Sequence, residues 1–394
     1  MDNLGVWLWL LLVMLPHNSR TMELLKKYGS AENAARAMRD GSCTSLSGQE
    51  KQRVQTTRIR QVRELVDDCN RLGIRIVTFD DPLYPSSLRS IKDPPIVLFV
   101  KGDPAALNAP LSLAVVGPRN ISDYGSRLTR NITGRLSRAG AAVISGLAIG
   151  ADAVAHRTAL ECGGVTVGVL GCGLAVNYPV ENEALKAAIL ANGGALVSEL
   201  LPHTGVASYY FRYRNRLIAG LALGTLVTEA SSRSGTLLTA KHTMLQRKPV
   251  FVFPPHDIFD DRYSGMTSLI RKGAHVISDA SDICRVLGMD IPEIKPTDNK
   301  YPEVIAEHRA PSKKLSPEAD APEEKRVPSS TPPDTSKLSP EAAAIAAALV
   351  GKALSTDDII AATGLKYDEV SSALLEMELE DVVIRDRDAT YSLV

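Results

Sequence analysis

Six short apolar runs separated by amphipathic stretches constrain this chain more than anything else in it. They are Leu113–Val116, Ala142–Ile144, Val165–Leu170, Ala195–Val197, Thr225–Thr228 and Val250–Phe253. Amphipathic segments such as Gly125–Ala139, Ala151–Cys162, Glu181–Ala191 and Ser234–Gln246 lie between them. A strand covered on both faces reads as a continuous apolar run. Such strands alternating with helices specify an α/β fold, a doubly wound parallel sheet. Two more strand-like runs, Ile74–Phe79 and Ile96–Val100, stand before the alternation and flank the turn-rich Asp80–Pro85.

The flanks differ from this centre. Residues 1–78 read as a small helical domain. Leu24, Leu25 and Tyr28 have helical spacing before Gly29, and Ile59, Val62, Leu65, Val66 and Cys69 share one face of a second helix that Gly73 ends. Leu4–Leu15 is an apolar run too short to span a bilayer, and no cationic segment precedes it as in a signal peptide; it is expected to be a buried helix. The α/β domain is expected over 79–290. Residues 291–338 carry nine prolines in 48 positions, a composition that cannot bury a core, and are expected to be a disordered linker. From Ser339 three helices and a hairpin, Val382–Ile384 with Thr390–Leu393, describe a winged helix over 339–394.

Charge is segregated although lysine plus arginine equals aspartate plus glutamate, at 45 each. Residues 110–290 hold 18 basic against 13 acidic side chains, whereas 339–394 hold 4 against 11. The centre can attract a polyanion; the tail should repel one. The third helix of the winged unit, 366–380, carries five acids against Lys366, the wrong charge for a DNA groove, so this unit is expected to dock protein. Five scattered cysteines fit a reducing cytoplasm and form neither a disulfide frame nor a zinc site.

Ser208–Arg216 packs Tyr209, Tyr210, Phe211 and Tyr213 among Arg212, Arg214 and Arg216, in a chain with 19 aromatics in all. Aromatic faces stack on unpaired bases and guanidinium groups hold phosphates, as single-stranded nucleic acid requires. A subunit interface rich in Tyr and Arg, or an active-site lid, would use the same residue types. Three strand-to-helix junctions are Gly-rich: Val116-Gly-Pro-Arg-Asn120, Ile144-Ser-Gly-Leu-Ala-Ile-Gly-Ala-Asp152 and Glu229-Ala-Ser-Ser-Arg-Ser-Gly-Thr236. Such junctions bring backbone amides and helix N-termini close to phosphate. With Arg119 and Arg233 beside them, they point to an anion site.

Catalytic fingerprints are missing. There is no P-loop, and Gly171-Cys-Gly173 lacks the third glycine of a dinucleotide fingerprint. Asp152 and His156 could share a metal, but a capping Asp and a packed His explain them as well. Glu199 and Glu229 could form a carboxylate pair, or hydrogen-bond loop amides; no nucleophile accompanies them.

Taken together, these motifs resemble the DNA-processing protein A family (DprA, also called Smf). The resemblance runs from about Asp80 to Asp282. It rests on Val116-Gly-Pro-Arg119, Ser145-Gly-Leu-Ala148, Asp152 with His156, Leu170-Gly-Cys-Gly173, Tyr178-Pro179, Ser198-Glu199, Phe211 with Arg214-Asn-Arg216, Glu229, Ser234-Gly-Thr-Leu-Leu-Thr-Ala240 and Leu269–Ala274. It implies an extended Rossmann domain behind a helical domain of SAM or helix-hairpin-helix type, often with a C-terminal winged helix. It also implies a cytoplasmic, non-enzymatic protein of DNA recombination and natural transformation (competence), without cofactor, metal or membrane attachment. Such a protein binds and protects single-stranded DNA, loads RecA recombinase, and forms a homodimer through the Rossmann domain. Carried over to this chain, the DNA-binding residues are Gly117, Arg119, Ser145, Gly146, Phe211, Arg212, Arg214, Asn215, Arg216, Ser234, Gly235 and Lys272. Pro118 and Ile149 depart from the family pattern and remove one hydroxyl and one charge. The turn Pro16–Arg20 lacks phosphate-holding glycines and is expected to make no DNA contact. The alternative function is a nucleotide-binding enzyme like the nucleoside-monophosphate phosphoribohydrolases; the glutamate of their signature is absent from Ser232–Thr239.

Overall fold

A computed structural model describes residues 2–289, 338–365, 369, 370, 373, 374, 377, 382–385 and 390–393. The chain divides into two compact units, Met1–Pro302 and Glu303–Val394. Residues 291–337, nearly all of the expected linker, lie outside the described residues.

The first unit opens with five helices: α1 (Asn3–Met14), α2 (Arg20–Tyr28), α3 (Ala31–Arg39), α4 (Gly48–Thr56) and α5 (Ile59–Arg71). The apolar run near the start forms α1, capped by Asp2, whose carboxylate accepts from Gly5 N at 2.9 Å. A helix apolar around its whole circumference must be covered on every side. Accordingly Val6–Leu11, Val13 and Met14 are buried in one core with residues of α3 and α5 and with Val97 and Phe99 of the adjoining sheet. Among the described residues, no helix is long and apolar enough to cross a membrane. On α5 the expected stripe buries Val62 and Cys69, but Ile59 is exposed. As the first helical residue, it stands past the end of the buried stripe.

The α/β body follows: β1 (Arg75–Thr78), the one-turn α6 (Ser86–Arg89), β2 (Val97–Gly102), β3 (Ser112–Val116), α7 (Asp123–Arg138), β4 (Ala142–Ser145), α8 (Ala151–Glu161) and β5 (Thr166–Val169). It continues with α9 (Glu183–Ala191), β6 (Ala195–Ser198), α10 (Ser208–Leu221), β7 (Gly224–Val227), α11 (Thr236–Leu245), β8 (Val250–Val252), α12 (Ser264–Arg271), β9 (His275–Val276) and α13 (Ala280–Val286). The strand order is β1-β2-β6-β5-β4-β3-β7-β8-β9. All pairs from β6 to β9 are parallel, and β1 and β2 extend the sheet antiparallel beyond β6. β9 answers to no apolar run: it pairs with Phe251 and Val252, while its own His275 and Val276 are exposed.

Strand alternation sends side chains to two cores. Leu113, Val115, Val143, Leu226 and Phe251 pack with residues of α7, α8 and α13. Ala114, Val116, Ile144, Val227 and Val252 pack with residues of α10, α11 and α12. Both faces are thus covered, which is why these strands are apolar throughout. The direction of winding reverses between β3 and β7, and the carboxyl ends of these neighbours form the crevice in which doubly wound sheets hold ligands.

The second unit contains α14 (Pro340–Leu349), β10 (Leu354–Ser355), α15 (Thr356–Thr363), β11 (Val383–Arg385) and β12 (Thr390–Leu393), with strand order β10-β12-β11. Ser339 caps α14 ahead of Pro340, and Ser355 with Asp358 forms a capping box on α15. The expected third helix lies largely outside the described residues, Lys366 and Asp368 included, although Val370, Ala373, Leu374 and Met377 join the core of the unit.

Candidate nucleic-acid interface

The aromatic and arginine cluster folds as the first half and more of α10, about two and a half turns. Leu217, Ile218 and Leu221 bury one stripe of this helix, and Arg214, three and four residues before the first two, continues it. Lys248 Nζ closes the other end by donating to Ala219 O, Gly220 O and Ala222 O at 3.0, 2.6 and 2.7 Å. The helix is fixed at both ends.

Helical geometry sorts the cluster. Tyr209 and Tyr213 are about half exposed, Phe211 and Arg212 are partly buried, and Arg214 and Arg216 are buried. Phe211 lies against Gly171, where an added Cβ would come within 2.6 Å of its ring, and against Tyr178 at 5.7 Å between centroids. Its ring is thereby held at the carboxyl rim of the sheet, beside the loop that follows β5. On another side of the helix, His17 of the α1–α2 turn stacks on Tyr213 at 4.5 Å and meets Tyr210 at 5.8 Å. The turn expected to make no DNA contact therefore supports the aromatic helix.

Arg214 and Arg216, expected to hold phosphate, are engaged inside the protein. Arg214 Nη1 donates to Gly146 O at 2.8 Å and to Val169 O, and Nε donates to Asn215 Oδ1 at 3.2 Å. Arg216 makes a forked pair with Glu199 and lies 3.7 Å from Asp93. Burial alone would push the Glu199 carboxyl up, but Arg216 and His17 outweigh it and hold it below the ordinary range. The apolar spacing after Arg214 carried the signal of its burial, because a residue in line with Leu217, Ile218 and Leu221 must point inward. For Arg216 no local signal exists, since its partner Glu199 is the residue that follows β6.

Behind Arg214 sits a buried polar cluster. Asp152 accepts from Gly146 N and Ala148 N at 3.0 and 3.3 Å, so it braces the β4–α8 loop. Burial raises its carboxyl, with Arg214 opposing. His156 Nδ1 is 2.6 Å from Thr166 Oγ1, and burial, then Arg214, push its imidazole down to about 3. Among the described residues, no group of three or more His, Cys, Asp or Glu is placed to hold a metal. Glu229 is likewise engaged, accepting from Ser122 N at 3.1 Å and from the Ser122 hydroxyl. It ties the β3–α7 loop to the end of β7 and closes the floor of the crevice.

The other expected site residues divide in the same way. Ser145 Oγ is buried and donates to Val115 O at 2.6 Å. Gly117 faces Thr228 and Ala151 so closely that a side chain has no room, and a Cβ on Gly146 would lie 2.6 Å from the Arg214 guanidinium. Gly150 has φ +81°, and a Cβ there would fall 2.5 Å from Pro118 O and closer still to Arg119 O, so only glycine fits. These groups shape the rim from within. Gly235 differs: it is exposed, and nothing lies within 4 Å of the position its Cβ would take. Ser234 beside it is partly exposed, its Oγ accepting from Thr236 N at 3.2 Å. Arg119 and Arg233 are exposed on the two loops of the crevice. Ile149, expected to replace a basic residue, stands 39% exposed. Lys272 is not brought to this rim. It follows the last residue of α12 and precedes β9, at the opposite end of the sheet from the Gly-rich junctions.

The rim therefore offers a fixed aromatic ring, exposed arginines and the N-termini of α7, α8 and α11. Comparisons with known proteins bear on the family and the fold. The family model for DNA recombination-mediator protein A matches residues 75–288, and that for the DprA winged helix domain matches 328–388. The chain is 37% identical over 211 residues to the DNA processing protein DprA of Bacillus subtilis, covering 54% of this chain and 70% of that protein. It is 33% identical to protein Smf of a Synechocystis strain, over 83% of this chain and 82% of the relative. The X-ray structure of DprA from Streptococcus pneumoniae aligns with a TM-score of 0.63 at 29% identity, over 72% of this chain and 98% of that one. On the match of the family model across the α/β body and the agreement in fold, the chain belongs to the DNA recombination-mediator protein A (DprA/Smf) family.

Proposed function

We propose that this protein binds single-stranded DNA without sequence preference at the carboxyl rim of its sheet and delivers it to recombination. The observation that carries the reading is Phe211. It is an aromatic ring partly exposed on a rigid helix and backed by Gly171 and Tyr178, on the rim where Arg119, Arg233 and the open Gly235 also stand. A base can stack on such a ring only when it is unpaired, and the exposed arginines can take the phosphates. Arg214 and Arg216 act from behind, as positioning residues. Within this reading the chain is not an enzyme: Glu199, Glu229 and Asp152 are all committed to protein partners. Protection of incoming strands during transformation, loading of a RecA-type recombinase and a homodimer through the α/β body complete the proposal, on the strength of family membership. The boundaries 1–78, 79–290, 291–338 and 339–394 remain the proposed domains.

The test is retention of a fluorescent oligo-dT against a duplex of equal length, over a series of salt concentrations. Preference for the single strand, weakening with salt, is expected. Equal affinity for both forms overturns the reading, and release of adenine from AMP would install the enzymatic alternative in its place.

A further inference from the structure

Outside the rim, α7 carries a one-sided charge. The exposed side of this helix carries Arg127, Arg130 and Arg138, and Asp123 in its first turn is the one acid on the helix. Its fourth arginine, Arg135, is turned to Asp279. Arg127, Arg130 and Arg138 make no ion pair within 4 Å among the described residues. At 100° per residue the three fall within an arc of about 80°, and at 1.5 Å per residue they extend over roughly 16 Å of helix. The buried stripe, Gly125, Thr129, Ile132 and Leu136, faces the other way, while Gly134, between Arg130 and Arg138 on the arginine side, is covered by the end of α8. The neighbouring α8, which packs on Gly134 through Thr158 and Cys162, exposes one Arg157 and one Glu161 and leaves the excess unchanged.

The position of this row matters as much as its charge. α7 begins at the rim, directly after the loop that bears Arg119, and runs away from it. An anion leaving the crevice past Arg119 meets Arg127, then Arg130, then Arg138. A folded protein partner would need a matching acidic ridge, whereas a flexible chain with a charge at every unit needs only the spacing of the cations. Guanidinium groups suit phosphate because they present two donors to two oxygens.

We propose that the exposed arginine face of α7 is a second phosphate track, along which a single strand continues after it leaves the rim. The proposal rests on the reading of the rim as a single-strand site and extends it from a short footprint to a longer one. It assigns Arg127, Arg130 and Arg138 to backbone contacts alone, with no stacking.

The test compares the parent with R127Q/R130Q/R138Q on a short oligo-dT that fills only the crevice and on one several times longer. These side chains are exposed, so the melting temperature should stay at the parental value. For the long oligonucleotide the slope of log K against log salt should fall in magnitude by about 2, from roughly 0.7 per lost phosphate contact on single strands. For the short one, slope and affinity should remain parental. A triple variant with the parental slope on both lengths overturns the track while leaving the rim site standing. A parent that binds neither length overturns both. An equal loss on both lengths also overturns the track, because it places the effect in the field of the crevice.

Discussion

Arg216 and Glu199 face each other across the joint between α10 and β6 in a forked pair. Nη1 lies 2.8 Å from Oε1, Nη2 lies 2.7 Å from Oε2, and both side chains are less than a tenth exposed. His17 adds its Nδ1 at 3.1 Å from the same carboxylate, and its ring stacks on Tyr213. One buried carboxylate thus joins the α1–α2 turn, the end of β6 and the helix that carries Phe211. The joint links the N-terminal helices to the proposed binding rim.

Breaking that pair should cost far more than its net worth, because the remaining charge stays buried. Glu199→Gln is expected to lower stability by about 3–5 kcal/mol, read from urea denaturation at neutral pH. The pH dependence has a fixed sign. The folded carboxyl is held below its unfolded value, so the contribution is complete above the ordinary carboxylate range and is lost as pH falls through the folded value. A variant as stable as the parent at pH 7 would show that the pair adds nothing to the joint.

His156 predicts a second acid sensitivity, at milder pH. The imidazole is pushed down to about 3 in the fold and titrates near 6.5 when unfolded. Between these values the unfolded chain binds the extra proton, so stability falls as pH drops below about 6.5. Against His156→Gln, the parent should lose an additional 1–2 kcal/mol or so between pH 6.5 and 5. Parallel pH profiles would show that the ring is not held neutral.

Two glycines of the Gly-rich junctions should respond in opposite ways to alanine. At Gly146 the new Cβ would meet the Arg214 guanidinium at 2.6 Å, so Gly146→Ala should destabilise the protein by about 1–3 kcal/mol. At Gly235 the backbone is helical and the space is open. Gly235→Ala should therefore melt like the parent yet bind oligo-dT more weakly, since the methyl group occupies the face a phosphate would approach. Unchanged binding by Gly235→Ala would remove this loop from the site.

Stacking and charge can be separated at the rim. Phe211→Ala should weaken single-strand binding by roughly 1–3 kcal/mol at every salt concentration and leave the slope alone. Arg119→Ala should reduce the slope by about 0.7. Arg214→Ala should act through melting temperature instead, because its guanidinium is occupied by Gly146 O and Val169 O. A stable Arg214→Ala protein with a reduced slope would return this residue to the phosphate contacts.

The sequence by itself determined the doubly wound sheet, because strands buried on both faces leave continuous apolar runs such as Leu113–Val116 and Val250–Phe253. It also determined which loops would be Gly-rich and that Phe211 would sit among arginines. What it could not decide is which way those arginines point. Arg214 shares its stripe with Leu217 and Ile218, so its burial was written in the helical period once Ser208–Leu221 was known to be a helix. Arg216 turns inward because Glu199, seventeen residues earlier, follows a strand beside it, with Asp93 near. Lys272 belongs to a motif continuous in sequence with the family pattern, yet α12 carries it to the far end of the sheet. β9 lay hidden because its two residues are ordered by pairing with β8 and not by an apolar pattern of their own. Local periodicity is set by neighbours a few residues apart and survives in one dimension. Charge pairing and position on a rim depend on segments brought together by the sheet, and exist only once it has closed.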